Sequence, residues 1–371
     1  MHSRIRATLL VLLACGAGCL SSPAPAAAPT AAAAAAPAGL YGLSPNTSLL
    51  FISDDGSARA VGAALPARFA AGPALTALDA RAATFFAVLF DLVAQHPFLV
   101  GISLANGSVT SSVRLPFTED GFIGLGQVLA LKTDPARPTV AIVGGQNAAQ
   151  THEFGTVDAV SGGDYRRFAT LDSGYNDVGG CSAAYIPATD SLLVQFNRNV
   201  SSAPPQRRRG GGGGVTAAPL RDFEISVYSI SLADGSARRM PESFANGTDI
   251  QALGGFDAAT GHVFGLGVTI AGEDIQRQVV DLDPVALAVS VVGNVSVDTV
   301  LSDGVAAFNS QRRSLYWMGD RGGSDQYYLV QNSVAAGAAV LSHGSLCAYD
   351  ECPSSLEYYP GSSLEGVNGG L

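Results

Sequence analysis

Five segments of the chain share one plan. GVAAFNSQRRSLYWMG, from Gly304, reads as a strand ending in a bulky residue, a short polar turn and an apolar strand. ALTALDARAATFFAV repeats it with Leu78-Asp79 followed by Thr84-Phe85-Phe86, and LALKTDPARPTVAIV with Thr133-Asp134 followed by Thr139-Val140. SAAYIPATDSLLVQF has Tyr185-Ile186, then Ser191-Leu192, and ALGGFDAATGHVFGLG has Phe256-Asp257, then His262-Val263-Phe264. The turn anchors stand at 79, 134, 186, 257 and 309, spaced 55, 52, 71 and 52 residues apart, and the long interval holds a low-complexity insertion. An underlying period of about 50 residues is that of propellers and solenoids.

A second unit alternates with the first. FLVGISLANGSVTSSVRL, from Phe98, is two strands around a tight Asn-Gly turn, and segments from Phe154 and Phe223 repeat it. Each repeat is therefore four strands, a to d, which is the blade of an all-β, six-bladed β-propeller with four antiparallel strands per blade. LLFISDDGSARAVGAAL, from Leu49, is a c–d hairpin with no a–b pair before it. CAYDECPSSLEYY, residues 347–359, aligns with the a–b segment from Gly304 and supplies the missing pair. The expected ring is closed by these C-terminal a–b strands pairing with the N-terminal c–d hairpin at 49–64, which removes the free sheet edges. Cys347 then falls on strand a and Cys352 in the following turn, close enough for a disulfide if the Cα spacing allows it.

Leu315-Tyr316-Trp317 followed by Asp320 is like the b-strand signature of YWTD repeats, and Leu232-Ala233-Asp234-Gly235-Ser236 is like their c–d turn. On these residues the chain resembles six-bladed propellers of the YWTD, NHL and SMP-30-like kind over residues 41–360, with Met318-Gly319 where the YWTD pattern has Thr. A YWTD likeness implies extracellular protein binding. An SMP-30-like one implies calcium-dependent hydrolysis. The fold alone does not choose between them.

Residues 1–26 read as a signal peptide, with Arg4 and Arg6 before the apolar ATLLVLLACGAGCL and Ala24-Pro25-Ala26 as a cleavage site. That run is too short and broken to span a bilayer. Residues 27–40 are an Ala/Pro-rich linker, 41–360 the propeller, 199–220 a disordered insertion and 361–371 a flexible tail. Five N-x-S/T sequons, at Asn46, Asn106, Asn199, Asn246 and Asn294, exceed the one or two expected by chance and fit a glycosylated, secreted chain. In this topology Asn46, Asn199, Asn246 and Asn294 share one end of the ring, and Asn106 lies at the other. Cleavage leaves three cysteines, of which Cys181 is expected to be a buried thiol. A net charge of -10 is a poor match for nucleic acid.

No nucleophile elbow, zinc-protease motif, P-loop or dinucleotide fingerprint is present, and no catalytic residue is assigned. Four histidines remain after cleavage, in four different repeats, and His152 beside Glu153 is expected on a surface loop. Asp177, Asp249 and Asp303 each precede an anchor by six to nine residues, which places three carboxylates near one mouth of the channel. Clustered oxygens suit Ca²⁺, although Asp is also common in such loops as a turn or cap residue. The leading expectation is a monomeric extracellular module that recognises a protein or glycan. The alternatives are a Ca²⁺-dependent hydrolase or lactonase with those three aspartates at the channel, and a domain that binds only its own kind.

Overall fold

Six antiparallel sheets of four strands form the ring, and nearly every regular residue is in a strand. The computed structural model describes residues 35–116, 128–134, 138–146, 151–171, 182–199, 223–240, 248–271, 274–296, 300–320, 326–348, 353 and 355–361. Blade 2 holds β4 (Phe69–Asp79), β5 (Thr84–Asp91), β6 (His96–Ser103) and β7 (Val109–Arg114). Blade 3 holds β8 (Val128–Lys132), β9 (Val140–Gln146), β10 (His152–Asp158) and β11 (Arg166–Leu171). Blade 4 holds β12 (Ser182–Ile186), β13 (Ser191–Asn199), β14 (Phe223–Ser231) and β15 (Ala237–Arg239). Blade 5 holds β16 (Thr248–Asp257), β17 (His262–Ala271), β18 (Asp274–Asp283) and β19 (Ala288–Asn294). Blade 6 holds β20 (Val300–Asn309), β21 (Ser314–Asp320), β22 (Gln326–Ser333) and β23 (Ala339–Ala348).

Blade 1 corrects the expected closure. Its order is β24 (Glu357–Tyr359), β1 (Gly39–Leu43), β2 (Leu49–Ile52), β3 (Ala58–Ala60). The C-terminus supplies strand a alone, with Gly39 opposite Tyr359 and Tyr41 opposite Glu357. Strand b is GLYGL at the N-terminus, buried at all five positions, and it begins inside the stretch expected to be linker. The reason lies in β23. It runs unbroken to Ala348, pairing Tyr327 with Cys347. Cys347 therefore ends the outer strand of blade 6 instead of opening the inner strand of blade 1. Cys352 and Cys181 lie outside the described residues, as does most of the 199–220 insertion, which falls between β13 and β14 as expected.

The innermost strands touch in the cyclic order β24, β4, β8, β12, β16, β20 and back to β24. The core lies between blades. Tyr41 and Leu49 of blade 1 pack with Phe85 and Val100 of blade 2. Phe264 and Val279 of blade 5 pack with Trp317 and Val330 of blade 6. Tyr316 and Met318 of blade 6 pack with Leu40 and Ile52 of blade 1, which seals the ring. Middle strands are thus covered on both faces and read as apolar runs: β5 is buried at seven of its eight positions. Trp317 is fully buried and donates its Nε1–H to Asn332 Oδ1 at 2.8 Å, so the YWTD-like residues act in packing.

The anchors have a structural role. Asp79 Oδ1 accepts backbone N–H bonds from Arg81 (3.0 Å) and Ala82 (3.2 Å), and Thr139 of the next blade donates to its other oxygen. Asp257 and Asn309 cap their a–b turns in the same way, through Ala259 and Arg312. A short side chain that accepts bonds from its own turn is why Asp or Asn recurs there. His152 departs from its expected loop position. It opens β10, is fully buried and lies 4.4 Å from the Phe196 ring. Among the described residues no helix is long and apolar enough to cross a membrane.

Candidate functional site

Side chains on strand a point into the centre of the ring. Thr76 of β4, Leu129 of β8, Ser182 and Ala183 of β12, Leu253 of β16, Val305 and Ala306 of β20, and Glu357 of β24 with Ser355 and Leu356 before it enclose a cavity of about 50 Å³. All six blades contribute. The volume is enough for a few waters or a small ion.

Glu357 is the one ionisable group among these lining residues. Thr76 Oγ1 donates to its Oε1 at 3.1 Å. Burial pushes the Glu357 carboxyl up to about 8, and the bond from Thr76 only partly offsets this. Near neutral pH it is therefore mostly protonated and can donate a hydrogen bond as well as accept one. Ser355 Oγ, buried in the same lining, has no hydrogen-bond partner among the described residues. On the facing side Ser182 donates to Gln195 Oε1 at 2.7 Å and accepts the Leu253 N–H at 3.0 Å, so it is fixed from both sides. Sequence reasoning missed Glu357 because it assigned Ser355–Tyr358 to strand b. The detectable signal was the buried GLYGL run, which already fills that place.

The aspartates expected at the channel mouth are partly placed. Asp249 stands near the start of β16, opposite Val268, and Asp303 lies on β20 within the irregular register between Leu301 and Ala306. The two strands are neighbours in the ring, and both positions precede the Leu253–Ala306 layer. Their side chains are outside the described set, and so is Asp177. Among the described residues no group of three metal-ligating side chains occurs. Of the sequons, Asn46 and Asn294 are exposed at the end carrying the b–c and d–a connections, and Asn106 is exposed at the other end. Asn199 ends β13, and Asn246 lies outside the described residues.

A second recess opens at the seam between blades 3 and 4, at the end of the ring that carries the a–b and c–d turns. Its volume is about 280 Å³, and it is lined by both polar and apolar side chains.

No protein-family model matches the chain, and no curated protein sequence matches it. Among solved structures, a manganese complex of oligogalacturonate lyase is 13% identical, with 84% of this chain and 78% of that one covered and a TM-score of 0.46. Oligogalacturonate lyase from Vibrio parahaemolyticus is 13% identical, with coverages of 83% and 79% and a TM-score of 0.44. A Glu150Gln mutant of Synechocystis apocarotenoid oxygenase is 9% identical, with coverages of 88% and 74% and a TM-score of 0.48. Likenesses this distant carry no argument about activity; the six-bladed ring is established by the chain's own sheets.

Proposed function

We propose that the protein is a secreted, glycosylated propeller that recognises a glycan or another protein outside the cell. The observation that carries this reading is the recess at the seam of blades 3 and 4, a built concavity whose opposing charges balance. It opens at the end of the ring opposite Asn46 and Asn294, so glycans on those two would leave it clear; Asn106 shares its end but stands in the c–d turn of blade 2, against Val61 and Gly62 of blade 1. Secretion rests on the leader at 1–26, and a bridge between Cys347 and Cys352 belongs to the same reading. Cys347 is not a free thiol. The test is a printed array of glycans and secreted proteins probed with the purified mature chain, with and without EDTA. Saturable binding to a defined class, unchanged by EDTA, is expected. Failure to bind any member in either condition refutes the reading.

One observation favours a second reading. Asp249 and Asp303 stand on adjacent innermost strands, near the same mouth of the channel. With Asp177 they would offer oxygen ligands to Ca²⁺ in a hydrolase or lactonase, where the cation would polarise an ester carbonyl. A Ca²⁺-dependent rise in thermal midpoint, lost in Asp249→Asn together with hydrolysis of a lactone, would establish this reading over the first. Saturation at about a hundred times Kd would stabilise the fold by about 2.7 kcal/mol.

A further inference from the structure

The seam recess is built from both sides. Blade 3 contributes Lys132 at the end of β8, Thr156 of β10, and Arg166 and Phe168 of β11. Blade 4 contributes Asp190, before β13, and Leu232 in its c–d turn. The wall is held rigidly. Lys132 Nζ lies 2.5 Å from Asp190 Oδ1, and Tyr185 donates its phenol hydrogen to the same oxygen at 2.8 Å. Burial works against the charge on Asp190, but the bonds from Lys132 and Tyr185 win, and its carboxyl stays below the ordinary range. The two blades also meet at the c–d turn: a Cβ on Gly235, where φ is +72°, would stand 2.0 Å from Phe168 O.

The lining narrows the class of ligand. Among the described lining residues Lys132 and Arg166 are matched in number by Asp134 and Asp190, so the lining has no net charge that selects an anion or a cation. An apolar molecule would take water from the exposed Arg166 guanidinium and from the Lys132 N–H groups not directed at Asp190, without replacing those bonds. Fixed donors stand beside fixed acceptors, which suits hydroxyl groups, since each donates one bond and accepts others. Half-buried Phe168, with Val140 and Leu232, offers a face for C–H groups. We propose that this recess is a binding site for one neutral sugar residue of a glycan. The inference rests on the recognition reading above and names its ligand class.

Lys132 is the only lysine in the chain, so an amine reagent reads this site directly. The experiment is reductive methylation of the whole mature protein, with Lys132 modification followed by mass spectrometry. The probes are glucose, galactose, mannose and N-acetylglucosamine, with glucuronate and an N-acetyl amino-acid amide as comparisons. At least one neutral sugar is expected to protect Lys132 saturably at millimolar concentration, as befits a ligand of about a dozen heavy atoms. Arg166→Ala removes an exposed side chain, and Phe168→Leu keeps an apolar one. Each is expected to weaken protection about tenfold or more, with thermal midpoints near the wild type. Sugar binding that both variants leave unchanged overturns the site but not the recognition reading. Protection by glucuronate alone, or by the amide alone, overturns the sugar assignment. Absence of protection by every probe does so too, while protein binding on the array would still sustain the broader reading.

Discussion

Glu357 makes a stability prediction with a definite sign. Its carboxyl is an ordinary 4.5 in the unfolded chain and about 8 in the folded one. Between those values the native state holds one more proton than the unfolded state, so stability falls as pH rises, by about 1.4 kcal/mol per pH unit. The contribution is fully present below pH 4.5 and lost as pH passes through 8. A dry site would lose about 5 kcal/mol in all. Glu357 is half-buried and its cavity has room for water, so about 2–3 kcal/mol is expected. Glu357→Gln keeps the shape and removes the charge. Urea unfolding from pH 4.5 to 9 is the assay. The two proteins should be separated by a constant offset below pH 5, and the variant should gain about 2–3 kcal/mol relative to wild type by pH 9. Carboxyls held low by hydrogen bonds, such as Asp91 and Asp283, act in the opposite sense: their stabilisation is lost as pH falls, below this window, and equally in both proteins. Parallel profiles from pH 5 to 9 would refute a neutral Glu357 in the channel.

Three substitutions and two truncations test the ring itself. Gly235→Ala meets both a left-handed φ and the Phe168 carbonyl, so a loss of about 2–4 kcal/mol is expected; Gly261→Ala, at φ +77° with nothing within 4 Å, should lose only about 1 kcal/mol. Equal losses by urea denaturation would show that the seam of blades 3 and 4 yields freely. Asn332→Ala strands Trp317 Nε1 and the Ala338 carbonyl, which Asn332 Nδ2 serves at 2.8 Å, and should cost about 2–4 kcal/mol, with tryptophan emission blue-shifted by loss of the Nε1 hydrogen bond while the site stays dry. Ending the chain after Gly361 should leave the denaturation midpoint unchanged. Ending it after Leu356 removes β24 and buried Tyr359, and should cost about 3 kcal/mol or more. Equal midpoints for the two truncations would contradict closure by the C-terminal strand.

The repeat was legible because its signals are local. Asp79, Asp257 and Asn309 each accept bonds from the turn that follows them, so the same residue type recurs at the same place in the chain. Apolar runs in the middle strands follow from burial on both faces. Contacts distant in sequence left no such mark. Lys132 and Asp190 are 58 positions apart and belong to different blades; nothing near either residue announces the ion pair. His152 next to Glu153 looked like a surface pair, yet strand alternation sends His152 inward against Phe196 while Glu153 faces Arg167 at 3.2 Å.

The closing blade shows why one strand of misassignment matters to function. The two halves of that blade come from opposite ends of the chain, and no turn joins β24 to β1 to fix their register. A match of CAYDECPSSLEYY to an a–b pair was therefore free to slide. What fixes the register is burial: GLYGL has no polar side and must be a middle strand of its sheet, and only one C-terminal strand is then needed beside it. In a propeller, moving a residue from strand b to strand a moves it from an interface between blades to the channel wall. That step turns Glu357 from an anomaly in a packed sheet into the one ionisable group among the described residues that line the channel cavity. The three-residue strand that closes the ring thus also carries a carboxyl that burial raises to about 8, and ring integrity and channel protonation are expected to vary together with pH.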